Sequence, residues 1–328
     1  CAAASSIAAN GGLAMRHTMT VALPPQLKAA VALMRLREIV PFVLITTLLG
    51  ANVGGAQPGL RLLVVLLGNL LVVAFAFMIN DVEDAPDDAL TPAKAVRNPI
   101  SAGRLSPRIG YGASFAVAIG GLTLNAALGM WPLALGGLCL ALGLLYSWRR
   151  VRLKAIPVAD LLSHVLMLAA LQFLCAYTAF QPGGQPWLAP CLFVVAISMY
   201  GQLFNQLRDL DGDRRAGVNH TSARIGPRAA YTLMILLLLA ALALLALSVW
   251  QGSVPLWTMG LAAGLSPVML IVPVRRARLS GSATKVHALF HEPVLLLFVI
   301  VLLAWLAVGA PASTSASDAP GFWNPTIW

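Results

Sequence analysis

Asn80-Asp-Val-Glu-Asp84-Ala-Pro-Asp-Asp88 closes a long apolar run, and Asn205-Gln-Leu-Arg-Asp209-Leu-Asp-Gly-Asp213 closes another one 125 residues later. Both stretches read Asn-x3-Asp-x3-Asp. Residues four apart share one face of a helix, so each copy stacks three oxygen donors along a single stripe. Asp81, Glu83 and Asp87 crowd the first copy and Asp211 the second, so eight of the chain's twelve acidic residues fall on these two segments. A chain that spans a membrane has no structural need for such clusters. They point to a site that gathers divalent cations and, through them, a phosphorylated ligand. A solvated acidic helix end or a calcium-stabilised loop is the plainer alternative. The duplication and the basic residues nearby count against it.

Hydrophobic residues make up 59% of the 328 residues and charged ones 10%, far from the balance of a soluble domain. Apolar stretches of roughly 20 residues are long enough to cross a bilayer as helices. Nine are expected, at roughly 29–53, 60–80, 108–128, 130–147, 156–180, 187–206, 228–250, 254–273 and 290–309. The short alternating segments of a membrane β-barrel are absent from the sequence. Residues 1–27 and 311–328 are rich in small and polar types and are expected to be disordered. Between them lies one membrane domain, 28–310. It reads as two repeat-like halves, about 28–147 and 156–273, followed by a ninth helix. Each Asn/Asp motif closes the second span of its half. Cys139, Cys175 and Cys191 sit singly inside spans and read as packing residues.

Basic residues alternate along the chain. They cluster in the loops 81–108, 148–155, 207–228 and 274–286, whereas the intervening connections carry none and Arg61 is the one exception. By the positive-inside rule the N-terminus and all four basic loops face the cytoplasm. The loops after spans 2 and 6 would then form a cytoplasmic cap over a central cavity. The net charge of +10 is mostly this asymmetry, and no nucleic-acid-binding motif accompanies it. Nothing in the sequence calls for an obligate protein partner.

Two acidic stripes facing one cavity could hold Mg2+, which is usually bound by one or two carboxylates together with substrate phosphates. Lys94, Arg97 and Arg104 after the first motif, with Arg208 and Arg214 at the second, could contact the remaining phosphate oxygens. A third basic group lies in Tyr146-Ser-Trp-Arg-Arg-Val-Arg152-Leu-Lys154. A diphosphate held this way is a leaving group, and an allylic diphosphate is its natural form: the cation is resonance-stabilised and the hydrocarbon tail suits apolar helices. His164 reads as a hydrogen-bonded interior residue. His287 and His291, beside Glu292, read as helix-end or headgroup residues, and Glu38 as a local ion pair with Arg37.

The first motif resembles the NDxxDxxxD signature of the UbiA superfamily of intramembrane prenyltransferases. Arg97-Asn-Pro-Ile-Ser-Ala-Gly103-Arg-Leu-Ser106 resembles the segment that follows it in that family, and Tyr146 through Lys154, then Asp160, resembles its YSxxxxRLK…D stretch. Asp209 through Gly217 resembles its second DxxxD motif. The resemblance covers roughly 28–309. It implies a nine-helix bundle around a central cavity, an Mg2+ cofactor bridging both motifs to a prenyl diphosphate, and transfer of the prenyl group to a lipophilic acceptor, whether aromatic, quinone-precursor or isoprenoid. Carried over by position, Asn80, Asp84, Asp88, Asn205, Asp209 and Asp213 become the metal-site residues. Lys94, Arg97, Arg104, Arg152, Lys154 and Arg208 become diphosphate ligands. Asp84, Asp209, Tyr146 and Lys154 carry the chemistry, with Tyr146 near the reacting carbon, and Asp81 and Asp160 give support. Two departures count against an aromatic-acid acceptor. Asn98 separates Arg97 from Pro99, and Asn219-His220-Thr221 stands where 4-hydroxybenzoate enzymes carry Lys-Ser. The expected setting is a bacterial or archaeal cell membrane. A terpene cyclase using the same residues is the nearest alternative, and a carrier for a phosphorylated lipid or metal ion is the alternative from another class.

Overall fold

Each long apolar run folds as a helix, the one open-chain form that satisfies every backbone polar group inside lipid. The computed structural model describes residues 24–180, 186–215, 217–277 and 283–309. Its helices are α1 (Pro25–Leu33), α2 (Leu36–Val53), α3 (Leu60–Asp88), α4 (Pro92–Arg97), α5 (Pro107–Ala126) and α6 (Met130–Ser147). They continue with α7 (Ala159–Val165), α8 (Leu171–Ala179), α9 (Leu188–Arg215), α10 (Thr221–Trp250), α11 (Leu256–Ala277) and α12 (Ala283–Val308). A π-helical turn, Leu166–Ala170, joins α7 to α8 as one span. Among the described residues there is no strand, and nine helices are long and apolar enough to cross a membrane. The protein is an integral, multi-pass membrane protein. The two terminal stretches expected to be disordered lie outside the described residues, except that α1 already begins at Pro25.

Three boundaries differ from the hydropathy reading. The first span, expected to be continuous over 29–53, breaks at Arg35, whose φ of 50° lies in the left-handed region. Its guanidinium lies 5.0 Å over the Phe77 ring and pairs with Glu38, anchors that an unfavourable backbone conformation needs. Glu38 therefore pairs with Arg35 and not with Arg37, which is almost fully exposed and 3.9 Å from Glu292. Secondly, α3 and α9 run on past the apolar spans, through Asp88 and Arg215, so both Asn/Asp motifs are helical. Thirdly, the long loop expected after span 6 is helical for most of its length. α10 starts at Thr221, and a bend at Gly226 (φ 82°) before Pro227 joins this first turn to the span. A left-handed glycine followed by proline stops a helix and redirects the chain.

Packing brings the motif-bearing ends together. α3 packs on α5 and α6, α9 on α10, α11 on α12, and α12 returns to α2. α2 also packs on α8, and there Gly50 is required: a Cβ at that position would collide with the carbonyl oxygen of Phe173. Gly50→Ala is expected to cost about 1–3 kcal/mol through overpacking, read as a lower Tm in detergent. An unchanged Tm would mean that α2 and α8 separate freely. Buried amides add interhelical bonds in the same region. Asn69 Nδ2 donates to Thr47 Oγ1 and to the Gln172 carbonyl, both at 2.9 Å, and Asn52 Nδ2 donates to the Leu302 carbonyl at 3.0 Å. Arg61, the exception to the charge pattern, donates to the carbonyls of Ala179 (2.5 Å) and Leu128 (3.0 Å) and so caps two helix ends. Cys139, Cys175 and Cys191 are free and buried, as expected.

Candidate active site

The carboxyl ends of α3, α6, α7 and α9, with His220 just before α10, surround a cavity of about 270 Å³. Its wall carries both Asn/Asp motifs. From α3 come Asn80, Asp84, Asp87 and Asp88, and from α9 come Asn205, Asp209 and Asp213. Lys94 and Arg97 reach in from α4, Arg152 and Lys154 from the turn after α6, Arg208 from α9, and Arg35 from the break before α2. The deeper wall is largely apolar, formed by Ala76, Phe77, Met167 and Leu168, with Tyr146, His164 and Gln202 beside them. Met167 and Leu168 belong to the π-helical turn, a distortion that often marks functional sites.

The carboxylates are already matched by basic groups. Lys154 Nζ pairs with Asp84 Oδ2, and Asn80 Nδ2 donates to the same oxygen at 3.1 Å. Burial pushes the Lys154 pKa below the usual lysine value, and Asp84 opposes that shift. Arg152 reaches Asp87 at 2.5 Å and Asp84 at 3.7 Å, and Arg149 reaches Asp87 at 3.1 Å. Across the cavity Lys94 lies 3.4 Å from Asp213, and Arg208 pairs with Asp209 at 3.1 Å. Tyr146 Oη accepts a hydrogen bond from Gln202 at 3.2 Å, and its ring centroid is 6.4 Å from that of His164.

Behind this wall, buried polar groups fix the elements that carry it. Asn98, fully buried, donates to Asp88 Oδ2 (3.0 Å) and to the Asp81 carbonyl (2.7 Å) while accepting from the Ile100 amide (3.0 Å). The residue that departs from the common Arg-Pro pattern thus clips the loop to the last aspartate of the first motif. Asp160, also fully buried, accepts from Gln206 Nε2 (2.5 Å), the Thr221 amide (2.8 Å) and the Thr221 hydroxyl. Gln206 in turn accepts from the Ser222 amide and hydroxyl. One carboxylate therefore joins α7, α9 and the start of α10 in a hydrogen-bonded network.

Most of the residues singled out in the sequence converge on the cavity, and Asp81, Asp160, Arg104 and Arg214 do not. Asp81 is buried behind it, 3.5 Å from Arg35 and 3.9 Å from Arg97, and Asp160 lies in the network just described. Arg104, expected to bind diphosphate, instead donates to the carbonyls of Val96 (2.9 Å) and Arg97 (3.4 Å), capping α4. Short helices leave carbonyls without partners, and the nearest guanidinium fills that need. Of the other charges near the motifs, Asp211 and Arg214 are exposed and off the lining, and Glu83 is buried and accepts from Tyr111 Oη at 2.7 Å. His164 lines the cavity, although its sequence context suggested an interior residue; His287 has no described side chain. Arg35, Gln202 and His220 also line the cavity without having been singled out for it. A left-handed residue, a glutamine in an apolar run and a helix-capping histidine carry no readable signal.

The donor set suits a hard divalent cation, because every candidate ligand on α3 and α9 offers oxygen. Among the described residues no three carboxylate, histidine or cysteine side chains converge on one point. Carboxylates on opposite walls fit a cation that completes its shell with the oxygens of a bound anion, as Mg2+ commonly does.

Comparison with known proteins agrees with this architecture. The UbiA prenyltransferase family matches residues 40–294. A UbiA homolog from Archaeoglobus fulgidus bound to GPP and Mg2+ has a TM-score of 0.66 at 20% identity, over 85% of this chain and 99% of that one. The apo UbiA homolog from Aeropyrum pernix K1 has a TM-score of 0.64 at 20% identity, over 83% and 98%. At such identity the likeness shows the fold. Two proteins named digeranylgeranylglyceryl phosphate synthase are similar in sequence. The one from Methanothrix thermoacetophila is 30% identical over 53% of this chain, and the one from Sulfolobus acidocaldarius 23% over 51%. The matches span 62% and 58% of those relatives' lengths. With the family matching residues 40–294 and its fold shared over 85% of the chain by a solved homolog, this protein belongs to the UbiA prenyltransferase family.

Proposed function

We propose that the protein transfers a prenyl group from a prenyl diphosphate, with Mg2+, to a lipophilic acceptor within the membrane. The observation that carries this reading is the cavity itself: carboxylates on two walls, cationic side chains from four segments at the mouth, and an apolar floor. Asp84, Asp88, Asp209 and Asp213, with Asn80 and Asn205, would hold the cation. When bound, it would supply positive charge that stabilises the departing diphosphate. Lys154, Arg152, Lys94, Arg97 and Arg208 contact the diphosphate oxygens, and Ala76, Phe77, Met167 and Leu168 take the hydrocarbon chain. The carbon–oxygen bond breaks with its electrons passing to the diphosphate, the acceptor's nucleophilic atom bonds to the allylic carbon, and the acceptor's proton leaves. Tyr146 sits beside the reacting carbon. The names of the sequence relatives support an isoprenoid acceptor, and the Arg/Lys asymmetry supports a cytoplasmic mouth.

The test is turnover of radiolabelled geranylgeranyl diphosphate by the purified protein in detergent, with and without candidate acceptors. A prenylated acceptor that forms only with Mg2+ is the expected product. A cyclic hydrocarbon formed without acceptor would replace the transferase reading with a cyclase. Complete lack of turnover across the acceptor panel would favour a carrier.

A further inference from the structure

His220 ends the short connection between α9 and α10. It is buried, with 3% of its surface exposed, and it touches the cavity wall. Its Nδ1 accepts from the Ala223 amide at 3.2 Å, capping α10. A nitrogen that accepts carries no proton, so in the neutral ring the proton sits on Nε2. That Nε2 makes no hydrogen bond, although Asp213 Oδ2 lies 3.5 Å away. A buried N–H without an acceptor is costly and uncommon, and here the nearest oxygen needs to close by only a few tenths of an ångström.

We propose that His220 is a positioning residue for Asp213, holding one carboxylate oxygen so that the other faces the cavity. Lys94 occupies the opposite side of the same carboxylate, 3.4 Å from Oδ1. The two neighbours differ in kind. An ammonium competes with a divalent cation for the carboxylate, whereas a neutral N–H donor does not, so His220 stays in place when the cation displaces Lys94. Hydrogen bonds of this type orient metal-binding carboxylates and raise metal affinity. The first motif has the same device: neutral Asn98 donates to Asp88, its last aspartate. The last aspartate of each motif is thus backed by an uncharged donor from the segment that follows it.

The inference rests on the proposed cation–diphosphate site, and the test separates the two. Binding of inorganic pyrophosphate to the full-length protein in detergent is titrated against Mg2+ by calorimetry, alongside prenyl transfer and Tm. His220→Ser keeps a cap for Ala223 but cannot reach Asp213. It is expected to raise the Mg2+ concentration needed for half-maximal pyrophosphate binding about tenfold, with Tm little changed. His220→Asn keeps both an acceptor and a donor and is expected to recover part of that loss. An Mg2+ requirement for His220→Ser within about twofold of wild type, well below the expected change, overturns the proposal. Equal losses in both variants that track a fall in Tm overturn it too, since they indicate capping alone. If the wild type itself fails to bind pyrophosphate with Mg2+, the site reading falls and takes the His220 role with it.

Discussion

Asp209→Ala is expected to reduce prenyl diphosphate turnover by at least about 10²-fold while leaving the fold intact. Among the described residues Asp209 pairs only with its neighbour Arg208, and both side chains are more than a third exposed, so their ion pair adds little stability. The loss would therefore be catalytic, and it is measured with radiolabelled substrate at saturating Mg2+ beside a Tm control. Asp84→Ala is expected to lose as much activity but to be less clean. It strands the Lys154 ammonium, whose side chain is 11% exposed. Full turnover by both variants would show that the acidic motifs do not carry the chemistry.

Lys154→Met should act in the opposite electrostatic sense. Methionine is unbranched and one atom shorter than lysine, and it removes the charge, leaving Asp84 with Asn80 and a more distant Arg152. Breaking a buried pair from one side costs 3–5 kcal/mol; here partial exposure reduces the expected loss to about 2 kcal/mol. Added Mg2+ should restore much of this loss, because the cation can take the vacated place beside Asp84. Turnover should still fall about 10²-fold through weaker hold on the diphosphate. The discriminating measurement is the Tm difference between wild type and variant with and without Mg2+. A difference insensitive to Mg2+ would remove Asp84 from the cation site.

The long apolar runs marked where each of the nine spans among the described residues lies, since burial in lipid demands helices and bilayer thickness sets their minimum length. The same physics hid their ends. Hydropathy falls where charge begins, near residues 80 and 206, but the helices persist through Asp88 and Arg215 because each turn of the motif still satisfies its backbone. The motif residues were legible because helical spacing fixes which side chains share a face. Arg104 turns to the carbonyls that close α4, because proximity in sequence to other basic residues does not fix which way a guanidinium points. His220 was passed over because its reach to Asp213 depends on the end of α9, the start of α10 and the bend at Gly226 acting together. The Asp160–Gln206–Thr221 network was invisible for the same reason, being tertiary in all its bonds.

The ammonium and guanidinium groups already resting on Asp84, Asp87, Asp209 and Asp213 set the order in which ligands can gain entry. A divalent cation arriving alone must evict internal counter-ions and gains little, and a polyanion arriving alone meets carboxylates that repel it. Arriving together, each frees the partner the other needs: the cation takes the carboxylates, and the released lysines and arginines turn to phosphate. Such an exchange makes the two binding events mutually reinforcing, with a coupling free energy that must be equal in both directions. The idle protein would then bind neither ligand tightly, and the membrane-embedded cavity would fill in a single concerted step.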